Sequence, residues 1–111
     1  MKNKNIFNEK VYTLLKKVPK GKVTTYKSLA EALGTKAYRA VGRAMRCNPY
    51  APEVPCHRCV ASDGSIGGFS GKWDSNSKEV KRKIRMLRRE GIGIKKNKIS
   101  NFSKTLVPLC L

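Results

Sequence analysis

Three features of the sequence predict a mainly α domain with a small β-hairpin, of winged-helix-like helix-turn-helix type. Apolar residues recur at helical spacing between glycine and proline stops. Two short helices are joined by a glycine turn, and the second carries a row of arginines. An Asp-Gly pair stands between two extended pieces. With 111 residues the chain has room for one small core, so a single domain over residues 1–111 is expected.

The elements follow in order. Phe7, Val11, Leu14, Leu15 and Val18 form the stripe of an amphipathic helix that Pro19 closes. The turn Pro19-Lys20-Gly21-Lys22 leads to a short extended piece, Val23-Thr24, and Thr25 is placed to cap a second helix with Tyr26, Leu29, Ala30 and Leu33 on one face. Gly34 ends it. A third helix is expected to start at once, capped by Thr35, and to run to about Cys47. Ala37, Ala40, Val41, Ala44 and Met45 cover one arc of it, and Arg39, Arg43 and Arg46 project from the other side. Such a row is usually just solvated. Here Ala40, Gly42 and Ala44 keep the helix thin enough to approach a groove.

A two-proline loop, residues 48–53, then reaches Val54-Pro55-Cys56-His57-Arg58-Cys59-Val60. Arg58 to Ala61, the turn Ser62-Asp63-Gly64 and Ser65-Ile66 read as the hairpin, and Gly67 to Gly71 as a glycine-rich loop. A last long helix is expected to open at Asn76, with Glu79 three residues on, to carry Val80, Ile84 and Leu87 on one face, and to stop at Gly91. Beyond it, Gly93 to Ile99 reads as a short strand, and the remaining tail has no assignment.

Charge and cysteines narrow the function. With 25 basic and 7 acidic residues the formal charge is +18, which points to a polyanion, nucleic acid first. No apolar run approaches the roughly 20 residues that cross a bilayer, and the start Met1-Lys2-Asn3-Lys4-Asn5 lacks a secretory signal's apolar segment, so a cytoplasmic protein without membrane association is expected. The four cysteines are therefore read as thiols. Cys56 and Cys59 form a C-x-x-C, but His57 inside the motif and two isolated cysteines make a poor zinc set, and no βαβ pattern supports a redox dithiol. A thiol beside the chain's only histidine, followed by glycine-rich backbone, instead suggests a nucleophile in a pocket that closes around a substrate.

Pro55-Cys56-His57-Arg58 with Val60, preceded by Arg39-Ala40-Val41-Gly42 and Asn48-Pro49 and followed by Gly68-Phe69-Ser70-Gly71, resembles the DNA-binding and catalytic domain of the O6-alkylguanine-DNA alkyltransferases. The likeness runs from about residue 18 to residue 91 and implies a one-domain version without the N-terminal domain of longer members. It implies irreversible transfer of an alkyl group from the O6 of guanine in DNA to Cys56, with His57 as base through a bridging water and Glu90 orienting His57. Arg39 would fill the stack vacated by the flipped base, and Tyr26 would crowd the flipped nucleotide and contact its base. Lys36 and Arg43 lie on the same DNA-facing surface. The Ser70 backbone N–H would donate to the purine, as would Tyr26, and the Cys56 and Cys59 carbonyls would accept from its amine. Met45, Pro52 and Phe69 would wall the alkyl group, and Asn48 would brace the turn into the reactive loop.

The resemblance implies a monomer acting on double-stranded DNA containing O6-alkylguanine, with no cofactor, metal or obligate protein partner, since sulfur accepts the group and the lesion supplies it. Three positions depart from the family's pattern. Cys59 stands where valine is common, Phe69 often replaces tyrosine, and residues 72–76 are more polar than usual. Cys59 also raises the question of oxidative pairing with Cys56. Two alternatives remain: a damaged-DNA sensor of the alkyltransferase-like kind, which lacks the reactive cysteine, and a general basic DNA-coating protein.

Overall fold

The computed structural model describes residues 6–50, 53–67, 77–107 and 109. In chain order the elements are helix α1 (Ile6–Leu15), strand β1 (Thr24–Thr25), helices α2 (Tyr26–Ala32) and α3 (Tyr38–Arg46), a 3-10 turn (Cys56–Arg58), strand β2 (Cys59–Val60), helix α4 (Lys78–Arg89), strands β3 (Ile94–Lys95) and β4 (Lys98–Ile99), and the short helix α5 (Phe102–Thr105).

Two buried clusters lie on either side of the β1–β2 pair. The first gathers Val11, Tyr12, Leu14 and Leu15 of α1, Leu29 and Ala30 of α2, and Val41 and Ala44 of α3, with Val54 and Cys59. The second gathers Val23, Val60, Ile66, Val80, Leu87, Ile92 and Ile99. β1 and β2 pair in parallel, Thr24 with Cys59 and Thr25 with Val60. Successive strand residues face opposite ways, so Cys59 enters the first cluster and its neighbour Val60 the second. The reactive loop is thereby fixed at the boundary of both.

Local chemistry sets most helix ends. The Thr25 hydroxyl accepts from the Ser28 N–H at 3.0 Å and caps α2. Gly34 and Gly91 take φ of +71° and +88° just past α2 and α4, a conformation that costs a side-chain-bearing residue but not glycine. Two caps differ from expectation. α3 begins at Tyr38, not at Thr35, whose hydroxyl instead accepts from the Ala37 N–H at 3.1 Å and spends its capping capacity on the turn before the helix. α4 is capped by Ser77, whose hydroxyl accepts from Val80 N–H at 3.2 Å; Asn76 lies outside the described residues.

The hairpin also stands elsewhere than expected. Ser62-Asp63-Gly64 does turn, with Gly64 N–H donating to Ala61 at 3.0 Å and Ala61 N–H to Ser65 at 2.9 Å. The strand before it, however, is taken by β1, because pairing there buries Cys59 and Val60 in both clusters. The hairpin is β3–β4, with Ile94 opposite Ile99 and Lys95 opposite Lys98. The expected single strand over 93–99 is broken by Lys96 and Asn97, both at positive φ, the two-residue turn that matches strand twist. The tail then folds back, and Leu106 bridges Val23. Among the described residues no helix is long and apolar enough to cross a membrane.

α1 is locked to α3 by the buried Tyr12 hydroxyl, which donates to the Ala44 carbonyl at 2.9 Å. Tyr12→Phe keeps the ring and removes that bond, so urea denaturation should show a loss of about 1 kcal/mol with an unchanged slope.

Candidate active site

The loop that presents the thiol is closed by Asn48. Its side-chain amide donates to the Val54 carbonyl at 2.9 Å, and its side-chain oxygen accepts from the Tyr50 N–H at 2.9 Å. The chain leaving α3 is thus returned to Pro55, and the bonds Cys56 N–H to Val54 and Arg58 N–H to Pro55, both 2.9 Å, wind residues 56–58 into the 3-10 turn. Cys56 is half-buried and packs against the first cluster, as do Tyr26 and Met45. Tyr26, the first residue of α2, has its hydroxyl pushed well above the ordinary phenol range, by burial first and then by the nearby Cys59 and Cys56 sulfurs. It therefore stays protonated and can donate. Pro52, Phe69 and Ser70 lie outside the described residues.

His57 is 4% exposed, and its Nε2 lies 2.8 Å from Glu90 Oε2. Glu90 is the C-terminal cap of α4, where the helix dipole disfavours a carboxylate. Arg58 offsets that. Its Nε donates to Oε1 at 2.9 Å and its Nη2 to Oε2 at 2.8 Å, while Nη1 donates to the Val18 carbonyl at 2.8 Å. Burial alone would raise the Glu90 pKa, but the hydrogen bonds from Arg58 and His57 outweigh it and hold the carboxyl below its usual value. For His57 the balance runs the other way: burial, aided by the Arg58 and Lys83 charges, lowers the imidazole pKa against the pull of Glu90. The ring is therefore neutral at pH 7. With Nε2–H donating to Glu90, Nδ1 is left as an acceptor.

The sequence gives Arg58 no role beyond its place in the motif and does not single out Lys83. Lys83 is fully buried, and its Nζ donates to the carbonyls of Cys59 and Ile66, each at 2.6 Å. It joins the strand after the reactive turn to the segment entering the glycine-rich loop. Burial pulls its ammonium down to about 8, so it is still charged at pH 7. Its position between Val80 and Leu87, on the apolar stripe of α4, was the available signal. Arg58 had none, because its partner is 32 residues away. Cys59 is completely buried and its thiol is pushed up to about 12 by burial, which makes it a packing residue, not a redox one. Cys56 and Cys59 are both free thiols.

On α3, Arg39, Arg43 and Arg46 are exposed, as is Lys36 just before it, and none has a carboxylate partner among the described residues. Val41 and Ala44 of the same helix are buried. No group of three His, Cys, Asp or Glu among the described residues could hold a metal ion.

A basic helix-turn-helix joined through a parallel strand pair to a cysteine–histidine–glutamate site defines a DNA-binding domain built around a thiol. Residues 6–92 match the family described as 6-O-methylguanine DNA methyltransferase, DNA binding domain, and the chain belongs to that family. It is 46% identical over 93 residues to a methylated-DNA–protein-cysteine methyltransferase of Metallosphaera sedula, covering 84% of this chain and 54% of that protein. The chain thus spans about half the length of that relative. Among solved structures it is similar to the O6-methylguanine-DNA methyltransferase of Pyrococcus kodakaraensis strain KOD1, with 46% identity, a TM-score of 0.65, and coverage of 78% of this chain and 47% of that one. S. pombe Atl1, solved in complex with damaged DNA containing O6-carboxymethylguanine, gives 28% identity, a TM-score of 0.77, and coverage of 96% and 98%.

The charges around His57 have a measurable sign. Alkylation of Cys56 by iodoacetamide should rise with pH as His57 loses its proton, with this limb centred below the ordinary imidazole value of 6.5. Arg58→Met removes a cation that disfavours imidazolium and should move the limb to higher pH. Glu90→Gln removes the anion that favours it and should move the limb lower. Mass-spectrometric labelling rates across pH 4–9, taken as roughly spanning the imidazole range, read both shifts.

Proposed function

We propose that the protein removes an alkyl group from the O6 of guanine in double-stranded DNA by moving it irreversibly onto Cys56. The observation that carries this reading is a half-buried Cys56 next in the chain to a buried His57 that is held 2.8 Å from Glu90, in a domain of this family. His57 takes the thiol proton, and the sulfur lone pair forms a C–S bond as the C–O6 bond breaks. The bonding pair returns to O6, and the guanine takes up one proton, balancing the one that left the thiol, to give keto guanine and neutral His57. The products are a thioether and an intact base, so each molecule acts once.

The base must leave the duplex before sulfur can reach it. Arg39 fills the vacated place, while Lys36 and Arg43 hold phosphates. Tyr26, kept protonated, donates to the flipped purine, and so does the Ser70 backbone N–H. The carbonyls of Cys56 and Cys59 accept from the purine's amine, the latter beside its bond from Lys83. Met45, Pro52 and Phe69 line the alkyl side, and Asn48 keeps the loop in place through its bonds to Val54 and Tyr50.

A second reading is recognition of the lesion without transfer. It is supported by the near end-to-end match with Atl1, a structure bound to damaged DNA. Cys56 and its charge relay favour transfer. Incubation with duplex carrying O6-methylguanine should add one methyl group to the Cys56 peptide, and Cys56→Ala should abolish it. Binding of the lesion without any mass increase in the wild type would select the second reading.

Arg39→Ala should slow transfer from duplex by about tenfold or more, since extrusion costs a few kcal/mol. Transfer from free O6-benzylguanine should change little. Equal slowing on both substrates removes Arg39 from extrusion.

A further inference from the structure

The family match ends at residue 92, yet the chain continues into an ordered hairpin. We propose that this hairpin, β3–β4, is a wing that grips the DNA phosphate backbone through Lys95, Lys96 and Lys98. The inference rests on the DNA reading above and extends the contact surface beyond α2 and α3.

The hairpin is firmly mounted. Ile99 is buried and Ile94 half-buried in the second cluster, so one face is anchored. Its backbone continues the turn that follows the reactive loop: Ser65 bridges Lys98, Ile66 N–H donates to Asn97 at 3.0 Å, and Ile99 N–H donates to Gly64 at 2.9 Å. Phe102 of α5 lies under that turn, so close to Gly64 that a Cβ there would sit 3.1 Å from its ring. Val23, the residue before β1, donates its N–H to Thr105 at 3.0 Å and accepts from Val107 at 3.0 Å. The tail is thus tied to the strands that carry both the reactive turn and the start of α2.

The outer side is built against its own stability. Lys95 and Lys98 stand directly opposite each other, a cross-strand pairing of like charges that is unfavourable. Lys96 takes a φ of +49°, where glycine or asparagine is cheaper. All three lysines are exposed. The facing carboxylate, Asp63, is already bonded to the Ser65 N–H at 3.0 Å and hydroxyl at 2.7 Å. Concentrated positive charge on a rigid two-residue tip is what a line of phosphates neutralises. An anionic membrane fits less well, because the large exposed apolar residues among those described are Ile6, Tyr38 and Tyr50, none of them on the hairpin.

The test is a salt titration of binding to an undamaged duplex, read by fluorescence anisotropy. The triple variant Lys95→Gln, Lys96→Gln, Lys98→Gln should lower the slope of log K against log salt by about 2 to 3, at about 0.9 per phosphate released. A control variant, Lys10→Gln, Lys16→Gln, Lys20→Gln, removes the same charge from α1 and the turn after it, and should change the slope by less than about 1. Thermal unfolding establishes that both variants are folded. Equal slopes for the two variants overturn the wing and leave the proposed function standing. Failure of the wild type to bind duplex in a salt-dependent way overturns the DNA reading, and the wing with it.

Discussion

Two neighbouring residues of one 3-10 turn, His57 and Arg58, both reach the carboxylate of Glu90 at the end of α4. Through that carboxylate the turn is clamped to the helix, and through Arg58 Nη1 to the Val18 carbonyl it is clamped to the segment that follows α1. The same contacts set the site's electrostatics. A histidine paired with a carboxylate alone would hold its proton more tightly and be a poorer base at neutral pH. Burial and the neighbouring guanidinium oppose that, so the ring keeps its orientation without being locked as a cation.

The β1–β2 pair makes this possible at a small size. Two residues from each strand suffice because alternation sends Cys59 into the helical cluster and Val60 into the other. The backbone between Cys56 and Ile66 therefore cannot shift without disturbing both cores. Lys83 adds a third tie, bridging Cys59 and Ile66 from inside the second half of the molecule. A buried lysine is costly, and bonds such as those to the Cys59 and Ile66 carbonyls offset that cost.

The helices turn most of their positive charge outward. α3 turns Arg39, Arg43 and Arg46 outward while Val41 and Ala44 face in. α4 keeps Lys81, Arg82, Arg85, Arg88 and Arg89 on its exposed side with Val80 and Leu87 buried. Helices normally interleave such cations with acids at i+4. Their scarcity here leaves the folded chain with a repulsion that a polyanion would relieve.

Much was legible in the sequence because it is local. The stripe from Phe7 to Leu15, the cap at Thr25, the stops at Gly34 and Gly91 and the adjacency of Cys56 and His57 follow from spacing or from covalent neighbours, although α1 ends at Leu15 and Val18 is buried from the turn after it, short of the expected stop at Pro19. The third helix was placed too early because Thr35 could serve either helix or turn, and the turn won. The hairpin was misplaced because Asp63-Gly64 specifies a bend but not what pairs across it; packing gave Cys59-Val60 to β1 and left the antiparallel ladder to residues 94–99. What the sequence alone determined was the helical character of the segments that form α1 to α4, and which residues could do chemistry; α5 left no signal in it. Only the tertiary structure decided that Arg58 meets Glu90, that Lys83 points inward and that the tail mounts beside the reactive loop, because each joins segments far apart in the chain and leaves no periodic trace along it.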